Sequence, residues 1–343
     1  EDYSAAFDST TGFLTITMLA GGKGAAVTAI KVSGKVIDPS KVTKEDVIGA
    51  VDPSTGAETG AQVIRQVYPR LGIVPGLILA PGWSQIPEVG LALAAKAAKI
   101  NGVYSAMALL DLDTAKAKKY TDTKSVKEES GYTSPFCYPL WPCDRVGEYI
   151  LAKSAVAGAM IQYMASDNED VPNQSPSNHL LGVGGQCLED GTEVYLDQDQ
   201  ANTVNGYGVT TAINQNGYRL WGNYTGAYPA SSDAKDIWFA VRRMFSWQGN
   251  NFIQTYFDEV DDPMNNVLVQ SVVDSENIRC SAYAPKYWAG ASIEYKSDDN
   301  PKTAILAGTM KFRQHIAPYT PAQEIVDIID YDTDTLAAAV GGN

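Results

Sequence analysis

The chain has 343 residues, 45% of them hydrophobic and 19% charged, a composition that can bury substantial cores and that excludes intrinsic disorder. A single core usually stops growing at about 250–300 residues, so two or three domains are expected. The formal net charge of −14 and pI near 4.6 speak against a nucleic-acid partner, because binding a phosphate backbone needs clustered Lys and Arg.

Phe13–Leu19 and Ala26–Ile37 are rich in β-branched residues and flank the turn Gly21-Gly22-Lys23-Gly24, which reads as a hairpin. Two strands rarely stand alone in water, so residues 1–37 are expected to end a β domain whose earlier strands precede Glu1. From Asp38 the spacing turns helical, with Val42, Val47 and Ile48 and then Val63, Ile64 and Val67 sharing an apolar face. A βαβ unit follows: a short strand at Gly76–Ala80, a small-residue helix at Pro87–Ile100 ended by Asn101-Gly102, and a buried strand at Ala106–Leu110. Such connections favour parallel pairing. A long helix is predicted over about Asp144–Met164, with Asp144 as its N-cap. These elements make residues 38–215 an α/β layer domain.

Asn202–Gly217 reads as a Gly- and Asn-rich connection. Beyond it Phe252, Ile253, Tyr256, Phe257 and Val260 form a helical stripe, and Asp262-Pro263 opens a further helix with Pro at its first position. Strand-like runs follow at Ser292–Tyr295, Thr309–Ile316 and Glu324–Tyr331, so residues 216–343 read as an α+β domain. In the last run Ile325 and Ile329 alternate with Val326 and Ile328, which makes both faces apolar. A strand of that kind near a terminus must be covered or paired.

Cys137, Cys143, Cys187 and Cys280 include no C-x-x-C pair and read as buried or incidental thiols. No apolar run approaches the roughly 18 residues that span a bilayer, so direct membrane insertion is not expected, and no signal peptide is visible.

The sharpest catalytic candidate is Asp111-Leu112-Asp113-Thr114, similar to the D-x-D-x-T motif of haloacid-dehalogenase-type phosphotransferases. There the first carboxylate attacks phosphorus and the second serves as acid/base beside Mg²⁺. The competing reading is a polar strand end that caps a following helix. Ser84, in Pro81-Gly82-Trp83-Ser84-Gln85, lacks a nucleophile elbow and is expected to hydrogen-bond at the start of the Pro87 helix. With only His179 and His315 available as bases, a Ser-His-Asp triad has few possible members. Gly182, Gly184 and Gly185 are not followed by G-K-[ST] and form no phosphate loop.

Four long blocks, Val74–Val89 leading through an alanine-rich segment to Lys99–Thr114, Val171–Gly185, Arg219–Trp247 and Val260–Ile278, carry a resemblance that covers most of the chain. In their order and spacing they resemble the subunits of contractile phage tail sheaths, including those of prophages and bacteriocin-like particles. The resemblance implies a central subtilisin-like α/β domain without its catalytic triad, preceded by a β-sandwich portion and followed by the α+β domain. It also implies no catalysis, cofactor or metal. The expected partners are further copies of the chain in sixfold helical rings, the tail tube, the baseplate and the tail terminator. The expected location is the virion tail, after synthesis in the bacterial cytoplasm. The expected action is contraction that drives the tube through the target envelope. Candidate interface residues are Lys235, Arg242 and Arg243, which otherwise read as a solvated helix face, and Glu324, Ile325, Val326, Ile328, Ile329 and Tyr331, which would pair with a neighbouring subunit by β-augmentation. A baseplate or other virion component sharing the domain is the remaining structural alternative. Trp221, Tyr224, Tyr228, Trp238, Phe245 and Trp247 read as core aromatics rather than a ligand cage.

Overall fold

The computed structural model describes residues 2–8, 11–24, 29, 31 and 38–341. The chain separates into two compact units, Glu1–Val42 and Thr43–Asn343.

In the first unit β1 (Tyr3–Phe7) and β2 (Leu14–Met18) pair antiparallel, with Tyr3 opposite Met18 and Phe7 opposite Leu14. Asp8 closes the turn between them, its carbonyl accepting from the Gly12 amide at 2.8 Å and its carboxylate from Thr11 Oγ1 at 2.7 Å. The strand expected at Phe13–Leu19 is therefore present, but it pairs upstream. Its partner runs through Ser4, Ala5 and Ala6, which carry little strand propensity. The second expected strand, Ala26–Ile37, lies almost wholly outside the described residues.

The second unit opens on α1 (Lys44–Ile48), where Thr43 and Asp46 form a reciprocal cap. A 3₁₀ turn at Gly60–Gln66 leads into α2 (Val67–Leu71). The βαβ reading holds: β3 (Leu77–Leu79), α3 (Pro87–Ala98) and β4 (Met107–Asp111) are followed by α4 (Thr123–Ser130) and β5 (Cys137–Leu140), and the three strands form a parallel sheet in the order β3-β4-β5. β4 is buried along its whole length, as an inner parallel strand covered on both faces must be. Ala108 and Leu110 join Val89, Leu93 and Ala97 of α3 in one apolar cluster. Met107 and Leu109 point the other way, into a cluster with Ala157 and Ile161. Gly90 lets α3 pack closely on Tyr132: a Cβ there would lie 2.0 Å from Tyr132 Oη.

The helix predicted from Asp144 instead begins at Lys153. Cys143–Val146 is β6 and Tyr149–Leu151 is β7, with Gly147 at φ 59° in the turn between them, and α5 spans Lys153–Ser166. β8 (Gly185–Cys187) pairs on the other side of β6, giving an antiparallel sheet in the order β7-β6-β8. The expected connection at Asn202–Gly217 is also structured. α6 (Gln198–Gly206) is started by a reciprocal Asp197–Gln200 cap, and β9 (Thr211–Asn214) forms a hairpin with β10 (Tyr218–Trp221).

Toward the C-terminus α7 (Ala234–Ile237) and α8 (Phe239–Thr255) are separate helices, because Trp238 is extended at φ −90°, ψ 122°. α9 (Asn266–Ala282) starts later than Asp262-Pro263 suggested, since the Asn265 side chain caps it by accepting from the Leu268 amide at 2.9 Å. β11 (Trp288–Glu294) and β12 (Arg313–Pro318) pair antiparallel around α10 (Lys302–Leu306), and α11 (Thr333–Ala339) closes the described chain. Val171, Met244, Cys280, Tyr287 and Trp288 form a third apolar cluster. Beside it the fully buried Glu276 accepts from Arg279 Nε at 2.9 Å, Gln248 Nε2 at 2.6 Å and Tyr256 Oη at 3.1 Å, so its charge is paired and hydrogen-bonded.

Candidate functional site

Asp111 and Asp113 do not converge on a common site. Asp111 ends β4 in a closed environment, where Oδ1 accepts from the Ser154 amide at 2.8 Å and Oδ2 accepts from Ser84 Oγ at 3.0 Å and Ser154 Oγ at 2.5 Å. Burial pushes its pKa up, opposed by the Ser154 and Ser84 hydrogen bonds. Asp113 turns to its own backbone and accepts from the Ala115 amide at 2.9 Å. A carboxylate that attacks phosphorus must be open to substrate. Asp111 is enclosed and fully hydrogen-bonded, so the phosphotransferase alternative finds no support in this geometry; the motif ends a strand and caps a turn, where a helix was expected.

Ser84 is likewise a structural donor, and its partner differs from the expected helix start. Its hydroxyl bridges the Asp111 carboxylate and the Asp111 amide, while its carbonyl accepts from Tyr132 Oη. Neither histidine contacts it among the described residues. His315 Nε2 sits 2.9 Å from Glu294, and His179 is on the surface with its pKa lowered by partial burial and by Arg219.

Lys235 lies 3.7 Å from Asp233 and 3.5 Å from Asp236, and Arg242 Nη1 is 3.2 Å from Asp236. The Arg242 guanidinium also stacks 4.6 Å from the centroid of Phe136, and Arg243 stands 5.5 Å from that of Phe239. Burial lowers the pKa of Arg243. The neighbouring aromatics pack on one another: Tyr224 stacks on Tyr228 at 3.8 Å and on Trp238 at 4.8 Å, and Trp247 meets Tyr283 edge-on at 5.2 Å.

The C-terminal arm forms the most exposed apolar surface of the second unit. Residues 319–332 have no regular structure, and Ile325 is 88%, Ile328 80% and Ile329 87% exposed, with Glu324, Val326 and Tyr331 also in solvent. The arm leaves the body along a polar groove of about 990 Å³ that it helps to line with Pro321–Ile325, opposite Asn202, Trp221 and Tyr224. Main-chain groups beyond that point have no ladder partner within the described chain.

A second cleft, of about 710 Å³, was not anticipated. It gathers Arg65 and Arg70 from the α2 region with Lys96 and Lys99 from the end of α3. These cations come from separate segments and no motif announces them.

No family model matches the chain. It is 26% identical over 333 residues to the tail sheath protein of Burkholderia phage BcepMu, spanning 92% of this chain and 67% of that one. Along most of its length the chain is therefore similar to a phage tail sheath protein. It is also 31% identical over 206 residues to a putative prophage major tail sheath protein of Pseudomonas aeruginosa strain UCBPP-PA14, covering 58% of this chain and about half, 48%, of that relative. The fold agrees with this relationship. The sheath of an extracellular contractile injection system, PVC, solved in its contracted state, superposes with a TM-score of 0.64 over 81% of this chain and 76% of that one at 17% identity. Among the described residues the buried carboxylates Asp111, Asp144 and Glu276 are held by Ser84 and Ser154, by Lys153, and by Gln248, Tyr256 and Arg279, respectively.

Proposed function

We propose that the chain is a structural subunit of a contractile tail sheath, polymerising as helical rings around a tail tube and contracting to drive that tube through a target cell envelope. The observation that carries this reading is the similarity to a phage tail sheath protein along 92% of the chain. Sixfold rings, contact with tube, baseplate and terminator proteins, and residence in a virion after synthesis in a bacterial cytoplasm belong to the same proposal. So do the division at residues 37 and 215 and a subtilisin-like form for the α/β layer.

The physical requirements of such a subunit are rigid bodies that slide and arms that keep neighbours tied. The three apolar clusters supply the first. For the second, the reading assigns Glu324, Ile325, Val326, Ile328, Ile329 and Tyr331 to an arm that docks on a neighbouring copy, supported by its exposed apolar residues and unpaired main chain. Lys235, Arg242 and Arg243 are assigned to a contact surface, in which Asp233 and Asp236 hold Lys235, Asp236 holds Arg242, and Arg243 lies against Phe239. No nucleotide is required if the two lattices differ in free energy when the sheath is assembled.

A second structural reading has its own support, since a solved anti-feeding prophage baseplate contains a chain that superposes with a TM-score of 0.60 over 88% of this one. High-speed sedimentation separates the two: a sheath subunit mixed with its tube protein pellets as long polymer, whereas a baseplate component remains in discrete particles.

A further inference from the structure

We propose that Cys143 and Cys187 form a covalent modification site, a thiol pair that a small disulfide oxidant joins into a bond across β6 and β8. The two residues stand directly opposite each other in the antiparallel register of those strands, followed by Asp144 opposite Gln186 and Arg145 opposite Gly185. Side chains opposed in this way leave the same face of the sheet, with Cα atoms about 4.5–5.5 Å apart. A disulfide spans about 4.4–6.8 Å between Cα atoms, so the backbone has the required reach and the Cβ atoms need draw together by about 1 Å at most. Cys187 is held from its other side by a bridge to Glu193. The remaining cysteines have no such partner: Cys137 lies opposite Ala108 on β4, and Cys280 is in α9, its carbonyl accepting from Trp288 Nε1 at 3.0 Å. The bond concerns the folded subunit alone and does not depend on the sheath reading.

The reaction balances with a low-molecular-weight disulfide, such as oxidised glutathione, as the oxidant. Cys143 is half-buried and meets the reagent first, whereas Cys187 is buried. The Cys143 thiolate attacks one sulfur of the reagent and expels the other as a thiolate, leaving a mixed disulfide. The Cys187 thiolate then attacks the Cys143 sulfur and expels the second reagent thiolate. The two protein thiols give up two electrons and two protons, and the reagent leaves as two thiols. Burial raises the pKa of both cysteines, that of Cys143 to about 12, while Arg145 beside Cys187 favours the resolving thiolate. Closure is therefore slow near neutrality and faster in alkali. The pair stays reduced in a reducing compartment and closes in an oxidising one. The bond encloses β7 and α5 in a loop, which restricts the unfolded chain and so stabilises the folded one.

The test is peptide mass mapping of the folded full chain after incubation with oxidised glutathione and alkylation of the thiols that remain. We expect two of the four thiols to disappear into one cross-linked peptide pair carrying Cys143 and Cys187. Closure should be faster at about pH 9 than at about pH 7. The bridged chain should melt a few degrees above the reduced one, and a reducing agent should restore the original midpoint. Cys137→Ala/Cys280→Ala should still close, whereas Cys143→Ser should not. If the double variant does not fold, the wild-type map decides by itself, because it identifies the linked residues. A glutathione adduct stalled on Cys143, a bridge through Cys137 or Cys280, or four free thiols at the higher pH overturns the proposal. So does a bond that forms only after the chain is unfolded in urea.

Discussion

Lys153 and Asp144 form an ion pair in which neither side chain reaches solvent. The pair joins the first residue of α5 to β6, across the place where the sequence pattern suggested one continuous helix. Burial pushes the Asp144 carboxyl pKa up, and Lys153 opposes that shift. Among the described residues Asp144 Oδ2 has no hydrogen-bond partner, so the pair rests on Oδ1.

Removing one partner leaves an uncompensated buried charge. Lys153→Met is expected to lower stability by about 3–5 kcal/mol, and Lys153→Met/Asp144→Leu to recover most of that loss. Urea denaturation of the two variants checks this. A double variant no better than the single one would show that the ion pair itself, and not the orphaned charge, sets the cost.

Gly90 is held by Tyr132, whose Cζ would lie 2.4 Å from an added Cβ. Tyr132 is fully buried and its hydroxyl anchors the Ser84 carbonyl, so it has no room to retreat. Gly90→Ala should cost about 2–3 kcal/mol by overpacking, against about 1 kcal/mol for Tyr132→Phe, which removes only the hydrogen bond. Thermal melts of both variants give the ordering.

Lys127 is buried with two carbonyl partners, of Tyr207 at 2.9 Å and Tyr228 at 2.5 Å, and makes no ion pair among the described residues. Desolvation lowers its pKa from 10.5 to about 8. Between those values the unfolded chain holds a proton that the native chain has lost, so this group's contribution to stability rises with pH across that window. The rise is on the order of 3 kcal/mol. Buried thiols act in the opposite sense: Cys137 is raised from 9.0 to about 11, and its contribution is present below the lower value and lost above the higher. The difference between Lys127→Met and wild type isolates the lysine. The substitution should be most favourable near neutrality and lose that advantage by pH 10.5.

How much of this was legible in the sequence depends on the range of the interaction. The β3-α3-β4 unit could be read directly, because short apolar runs, Pro87 and Asn101-Gly102 mark its boundaries locally. The segment from Asp144 misled, since Val146, Tyr149 and Ile150 fit a helical spacing and also two short strands around Gly147. Asp111 and Asp113 looked like a pair because only Leu112 separates them in sequence. The true partners of Asp111 are Ser84 and Ser154, which are 27 and 43 residues away and cannot be inferred from a local motif. The cleft cations escaped for the same reason. The arm was visible through its two-faced apolar pattern, yet its lack of a ladder partner required the fold.

Deleting Glu324–Asn343 tests the assignment of the arm. The body's three apolar clusters contain none of those residues, so the truncated chain should melt within a few degrees of the intact one while losing polymerisation. Equal assembly by both chains, measured by light scattering, would count against the arm.

The central claim is most directly tested by electron microscopy of the purified intact open reading frame with and without its neighbouring tube protein. The sheath account predicts hollow helical tubes built of sixfold rings. Discrete monomers alone in both preparations would contradict it.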